Sequence, residues 1–157
     1  DLTLQDPGFD GTSVANQTSV VLFSETAGGI LLTGDTGTRG LHEAAYIAAQ
    51  LGITLSRPKL VQIPHHGSRH NVSPAALNEV IGLPTFSRPD PPERFAYTSA
   101  AAKSEMPRKV VENAFARRGY ECYVTKGGIR TFRHNFPMRP DFTYGLPGSP
   151  FHDFVED

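Results

Sequence analysis

The residues best suited to chemistry lie in two short segments, Leu31-Leu32-Thr33-Gly34-Asp35 and Val61-Gln62-Ile63-Pro64-His65-His66-Gly67-Ser68. Each reads as an apolar strand that stops at a tight turn and offers a metal ligand from the turn, a carboxylate at Asp35 and imidazoles at His65 and His66. Together they make a metal-site layout. Cys122 is the single cysteine, which excludes an internal disulfide and an all-thiolate zinc site, so Asp, Glu and His are left to hold a cation. Its setting, Tyr120-Glu121-Cys122-Tyr123-Val124, suits a packed strand position rather than a reactive thiol. His42, His70, His134 and His152 stand singly and read as solvated or hydrogen-bonded side chains.

Positioning these groups needs strands that end at the two turns. Residues 19–23 and 30–32 are apolar runs joined by Thr26-Ala27-Gly28-Gly29, which predicts a hairpin whose second strand ends at Asp35. Helix-type apolar spacing over 38–50 stops at Leu51-Gly52, so a helix follows directly. Residues 59–63 predict a third strand, and Ser73-Pro74 caps and opens a helix to Ile81. After a proline-laden connection at 83–93, residues 95–98 read as a strand, 107–118 as a helix stopping at Gly119, and 120–125 with 129–132 as a closing hairpin. From Asn135 onward Phe136, Phe142, Tyr144, Phe151 and Phe154 sit among four prolines without either period, as an irregular tail lying over an apolar surface.

With 157 residues, 38% hydrophobic content, 15 glycines and 13 prolines, the chain amounts to one loop-rich domain or part of one. The net charge of −1 argues against bulk polyanion binding, yet the charge is uneven. Residues 1–50 hold six carboxylates against Arg39 alone, whereas 103–139 hold nine basic residues against Glu105, Glu112 and Glu121. That basic run reads first as a solvated helix and hairpin, and second as a phosphate-facing surface. No apolar run approaches the roughly 18 residues of a membrane span and no charged-then-apolar leader opens the chain, so a soluble, cytoplasmic protein is expected. Starting at Asp1, it reads as a processed or partial piece of something longer.

In order, Asn16-x-x-Ser19 entering an apolar strand, the Thr33-Gly34-Asp35 turn, a helix, Pro64-His65-His66-Gly67-Ser68, a strand reaching Ser99, a helix and Gly119-Tyr120-x-x-Tyr123 resemble the metallo-β-lactamase fold. Within that superfamily the chain is most similar to the hydrolase domain of the competence-related DNA-uptake proteins, over about residues 14 to 133. The Pro-His-His-Gly-Ser run carries most of the resemblance, because Gly-Asp alone is a common turn pair. What the resemblance implies is an α+β fold of the αββα sandwich type, with residues 1–134 as its C-terminal part and 135–157 as a tail. It further implies two divalent ions, zinc or manganese, at the strand ends. Asp35 would bridge both, His65 would bind one, and a metal-activated water would attack an ester-like centre. His66 is expected to touch substrate, or to be the ligand in place of His65. Ser68 and Asn16 are expected to hydrogen-bond near the site, a role that turn capping would equally explain.

Two departures qualify this. The family's His-x-His-x-Asp-His cluster is absent, and Ser104-Glu105-Met106-Pro107-Arg108 replaces a Gly-His-Pro-His stretch. The chain therefore supplies only part of a ligand set. A missing N-terminal half or a partner chain would supply the rest, or the metal site has been lost. Three functions follow: a metal-dependent, nuclease-like phosphodiester hydrolase acting on nucleic acid or another phosphodiester; a degenerate module that binds a partner or ligand without turnover; and a lactone, thioester or β-lactam hydrolase. Half a sandwich would also leave Val20, Leu22, Leu32, Val61 and Ile63 on an apolar face in need of cover from an upstream segment, a partner or a second copy.

Overall fold

The structure, a computed structural model, describes residues 4–8, 11–55, 57–85, 92–126 and 148–156. Among the described residues, five strands form one mixed sheet in sequential order: β1 (Leu22–Ser24), β2 (Ile30–Leu32), β3 (Leu60–Gln62), β4 (Phe95–Thr98) and β5 (Glu121–Val124). The expected hairpin is there, with β1 antiparallel to β2 and Phe23 opposite Leu31. The remaining pairs are parallel. Parallel neighbours need long crossovers. The helices α2 (Thr38–Gln50), α3 (Pro74–Ile81) and α4 (Lys109–Ala116) supply them, and a short α1 (Val14–Gln17) precedes the sheet.

Register explains which side chains are covered. Phe23, Leu31, Val61, Ala96 and Cys122 stand directly across from one another, so they share one face. That face and Leu41 of α2, Leu77 and Ile81 of α3, and Val111, Ala114 and Phe115 of α4 make a single core cluster. The chain is thus an α+β fold, with helices layered on one side of its sheet. Val61 and Ile63, expected on an uncovered apolar face, are each only 1% exposed. Alternation turns them towards the helices, which corrects the reading for those two. Val20, Leu22 and Leu32 are 70%, 57% and 41% exposed, as expected. Beside them on the open face, Tyr97 and Tyr123 stack with centroids 5.1 Å apart.

Local chemistry sets the helix ends. After α2, Gly52 takes φ +70° and donates its N–H to Ala49, while Ile53 donates to Ala48 at 2.8 Å. This paired closure needs the left-handed region that glycine enters without strain. Ser73 Oγ accepts from Ala76 N–H at 3.1 Å with Pro74 at the first helical position. The last helix is shorter than residues 107–118. Arg108 is extended at φ −68°, ψ 136°, and its N–H goes to Gly67 instead of a turn of helix.

Cys122 is buried in β5, as its flanking residues suggested. The partner strand expected at 129–132 lies outside the described residues. On the outer edge of β5, Ser149 donates its N–H to the Cys122 carbonyl at 2.7 Å. From there the described end of the tail follows α4. Phe151 lies under the Arg117 guanidinium, and His152 exchanges two hydrogen bonds with Asn113 and contacts the Glu112 carboxylate at 2.8 Å. Glu156 Oε1 accepts from the Lys109 N–H at 2.8 Å, placing an acid at the positive end of the helix. Tyr120 donates its hydroxyl to the Pro58 carbonyl at 2.9 Å. Burial raises the phenol's pKa above the usual range, outweighing the opposing charges of Arg94 and Arg57. No helix among the described residues is long and apolar enough to cross a membrane.

Candidate functional site

Three neighbouring parallel strands, β2, β3 and β4, end at one rim, where open α/β sheets collect functional groups. Asp35 follows β2, His65 and His66 follow β3, and Ser99 follows β4. The first two turns are tied together, His65 N–H donating to the Gly34 carbonyl at 3.1 Å. The third joins through His66, whose Nδ1 lies 2.7 Å from the Ser99 carbonyl oxygen.

The Asn16-x-x-Ser19 pair braces both ligand turns. Asn16 Nδ2 lies 2.8 Å from His65 Nδ1, and Ser19 Oγ accepts from the Asp35 N–H at 3.2 Å. Two further braces had no signature in the sequence. Gln62 Oε1 accepts from the N–H groups of Thr33 and Gly34 at 3.2 and 3.1 Å. Asn71, buried, donates through Nδ2 to Thr12 Oγ1 at 2.8 Å and to the carbonyls of Asp35 and Thr36, each at 3.1 Å. Asn71→Ala is expected to cost about 1–3 kcal/mol, since the buried Thr36 carbonyl and the partly buried Asp35 carbonyl lose their donor. It should also speed amide exchange at Asp35 and Thr36. Exchange unchanged from wild type would mean that the loop stands without Asn71.

The braces fix the backbone of Asp35 on both sides and leave its carboxylate without a hydrogen bond or ion pair among the described residues. A carbonyl can only accept, so the Ser99 contact puts the proton of neutral His66 on Nδ1 and leaves the Nε2 lone pair without a partner among the described residues. His65 and His66 both adopt positive φ, +45° and +57°, a conformation non-glycine residues hold only under constraint. Ser68 is buried and its Oγ accepts from the His70 N–H at 3.3 Å, so its hydroxyl serves the turn.

Zinc takes four ligands. Among the described residues no three His, Cys, Asp or Glu side chains converge to hold a cation. The Asp35 carboxylate and the Nε2 imidazole nitrogen of His66 are donors of the right type but an incomplete set. Completing it requires residues beyond those described.

The basic stretch 103–139 is divided in its described part. Arg118 is buried, Arg108 pairs with Glu105 at 3.0 Å and Arg117 lies over Phe151. Lys103, Lys109 and Lys126 are exposed, while Arg130, Arg133 and Arg139 lie outside the described residues. No family model matches the chain, and neither the curated proteins nor the solved structures contain a match.

Proposed function

We propose that this chain is the C-terminal part of a metallo-β-lactamase-type hydrolase that cleaves phosphodiesters. The observation that carries the reading is the union of the Asp35 carboxylate, which has no hydrogen bond or ion pair among the described residues, with the His65-His66 turn at the ends of adjacent parallel strands. Asp35, with His65 or His66, would hold a divalent cation, zinc or manganese, together with ligands from outside the described residues. When bound, such a cation supplies Lewis-acid activation of water and of the phosphoryl group. Asp35 contributes negative charge at a backbone position that Ser19 and Asn71 keep from moving. His66 can take or return a proton at Nε2 while Ser99 holds the opposite side of its ring. Exposed Lys103 and Lys109 precede or begin α4 and can attract the phosphate chain. The open sheet face around Leu22 and Leu32 is where the second layer of such a sandwich would pack.

The test is hydrolysis of bis-p-nitrophenyl phosphate by the full-length protein with zinc or manganese, beside a lactone and a thioester. Cation-dependent phosphodiester cleavage is expected, falling more than about tenfold in Asp35→Asn and His65→Ala. Preference for the lactone or thioester would shift the substrate class. Absence of both metal binding and turnover would leave the non-catalytic binding module.

A further inference from the structure

We infer that Asn16 is a positioning residue whose amide orientation sets the tautomer of His65, and with it which ring nitrogen offers a lone pair to the site. The inference rests on the metallo-hydrolase reading only for the use made of that lone pair. Asn16 is carried by α1, with its N–H held by Ser13 Oγ and its carbonyl accepting from Ser19, so the residue that faces His65 is braced through the one that holds Asp35. Its amide nitrogen lies 2.8 Å from His65 Nδ1, and His65 Nε2 has no hydrogen bond among the described residues.

In this arrangement the amide donates to Nδ1, so the proton of the neutral ring sits on Nε2. A cation on Nε2 requires the reverse: Nδ1 must carry the proton and donate it. Asn16 can accept that bond by a half-turn of its amide, because the oxygen and nitrogen ends have nearly the same size and reach. An aspartate there could only accept and a leucine could do neither. His66 differs, since the Ser99 carbonyl commits it to Nδ1–H. Two adjacent histidines thus have different second partners, a fixed acceptor for His66 and a reversible amide for His65.

Long-range proton–nitrogen NMR of histidine-labelled full-length protein at about pH 8.5 reads the tautomers directly. Metal-free wild type is expected to show His65 as Nε2–H and His66 as Nδ1–H. In Asn16→Asp, His65 should convert to Nδ1–H without metal; in Asn16→Leu it should become a mixture. His66 should not change in either, which also reports that the fold is intact. Because α1 buries no residue, both substitutions should be tolerated, and either alone decides the matter. An Asn16→Asp protein whose His65 remains Nε2–H, or an Asn16→Leu protein whose His65 matches wild type, would overturn the inference. Zinc added to wild type should convert His65 to Nδ1–H, with affinity about tenfold or more weaker in Asn16→Leu. Zinc that leaves His65 unmoved would remove the metal-site reading without touching the tautomer result.

Discussion

Gly67→Ala is expected to destabilise the protein by about 2–5 kcal/mol and to disturb the His65-His66 turn. Gly67 holds φ +86°, where an L side chain costs about 1–2 kcal/mol. A Cβ there would also lie 2.3 Å from Pro107 Cβ and 2.8 Å from its Cα. Those are backbone and ring atoms with little room to give, so forced displacement adds about 1–3 kcal/mol. The contact matters to the site because the Gly67 carbonyl accepts from the Arg108 N–H at 3.0 Å, joining the histidine turn to the start of α4. Gly52 is the matched control: it holds φ +70°, and nothing lies within 4 Å of a Cβ built on it. Urea denaturation of both alanine variants should give a loss clearly larger at Gly67. Equal losses would mean that backbone strain alone accounts for the glycine and that the approach of Pro107 is unimportant.

Arg118→Leu is expected to cost about 3 kcal/mol or more, because several buried oxygen acceptors lose their donor at about 1–3 kcal/mol each. Arg118 is 1% exposed and donates to carbonyl and amide oxygens on two helices. Nε donates to Gly82 at 3.0 Å, Nη1 to Ala114 at 2.8 Å, and Nη2 to Asn78 Oδ1 at 2.7 Å and Pro74 at 3.3 Å. Burial, with the charge of Arg117 second, lowers its pKa to about 10, which still leaves it cationic at neutral pH. A positive charge at the C-terminal end of α3 is favourable, and the planar fork reaches both ends of α3 and the last turn of α4 at once. Arg118→Lys keeps the charge without the fork and should remain at least about 1.5 kcal/mol below wild type, the worth of one charged hydrogen bond. Denaturant midpoints of the two variants test this. A lysine variant as stable as wild type would show that charge alone suffices.

Much of the local structure was legible before folding was considered. The helix at 38–50 and the strand at 95–98 have the bounds expected from apolar period and stop signals, and Ser73-Pro74 opens α3 as its residue types require. These features depend on contacts within a few residues, so composition and spacing carry them. Strand-end logic likewise pointed to Asp35 and the His65-His66 turn sharing one rim, because turns after neighbouring strands have few other places to go.

Tertiary structure alone decided the rest. Nothing in the basic run singled out Arg118 from its neighbours, since its acceptors come from Pro74, Asn78, Gly82 and Ala114 on two helices. The bracing amides of Gln62 and Asn71 were equally hidden as roles, each contacting a turn 28 or more residues away, whereas Asn16 was expected near the site and only its partner, His65, was not. Val61 and Ile63 were recognisably strand residues, but which face they would show depended on where three crossover helices came to rest. A periodic pattern records the preference of a segment for burial or turning. The partner that satisfies a buried amide or guanidinium is fixed by long-range packing, where directional hydrogen bonds are made between groups that leave no mutual trace in local sequence.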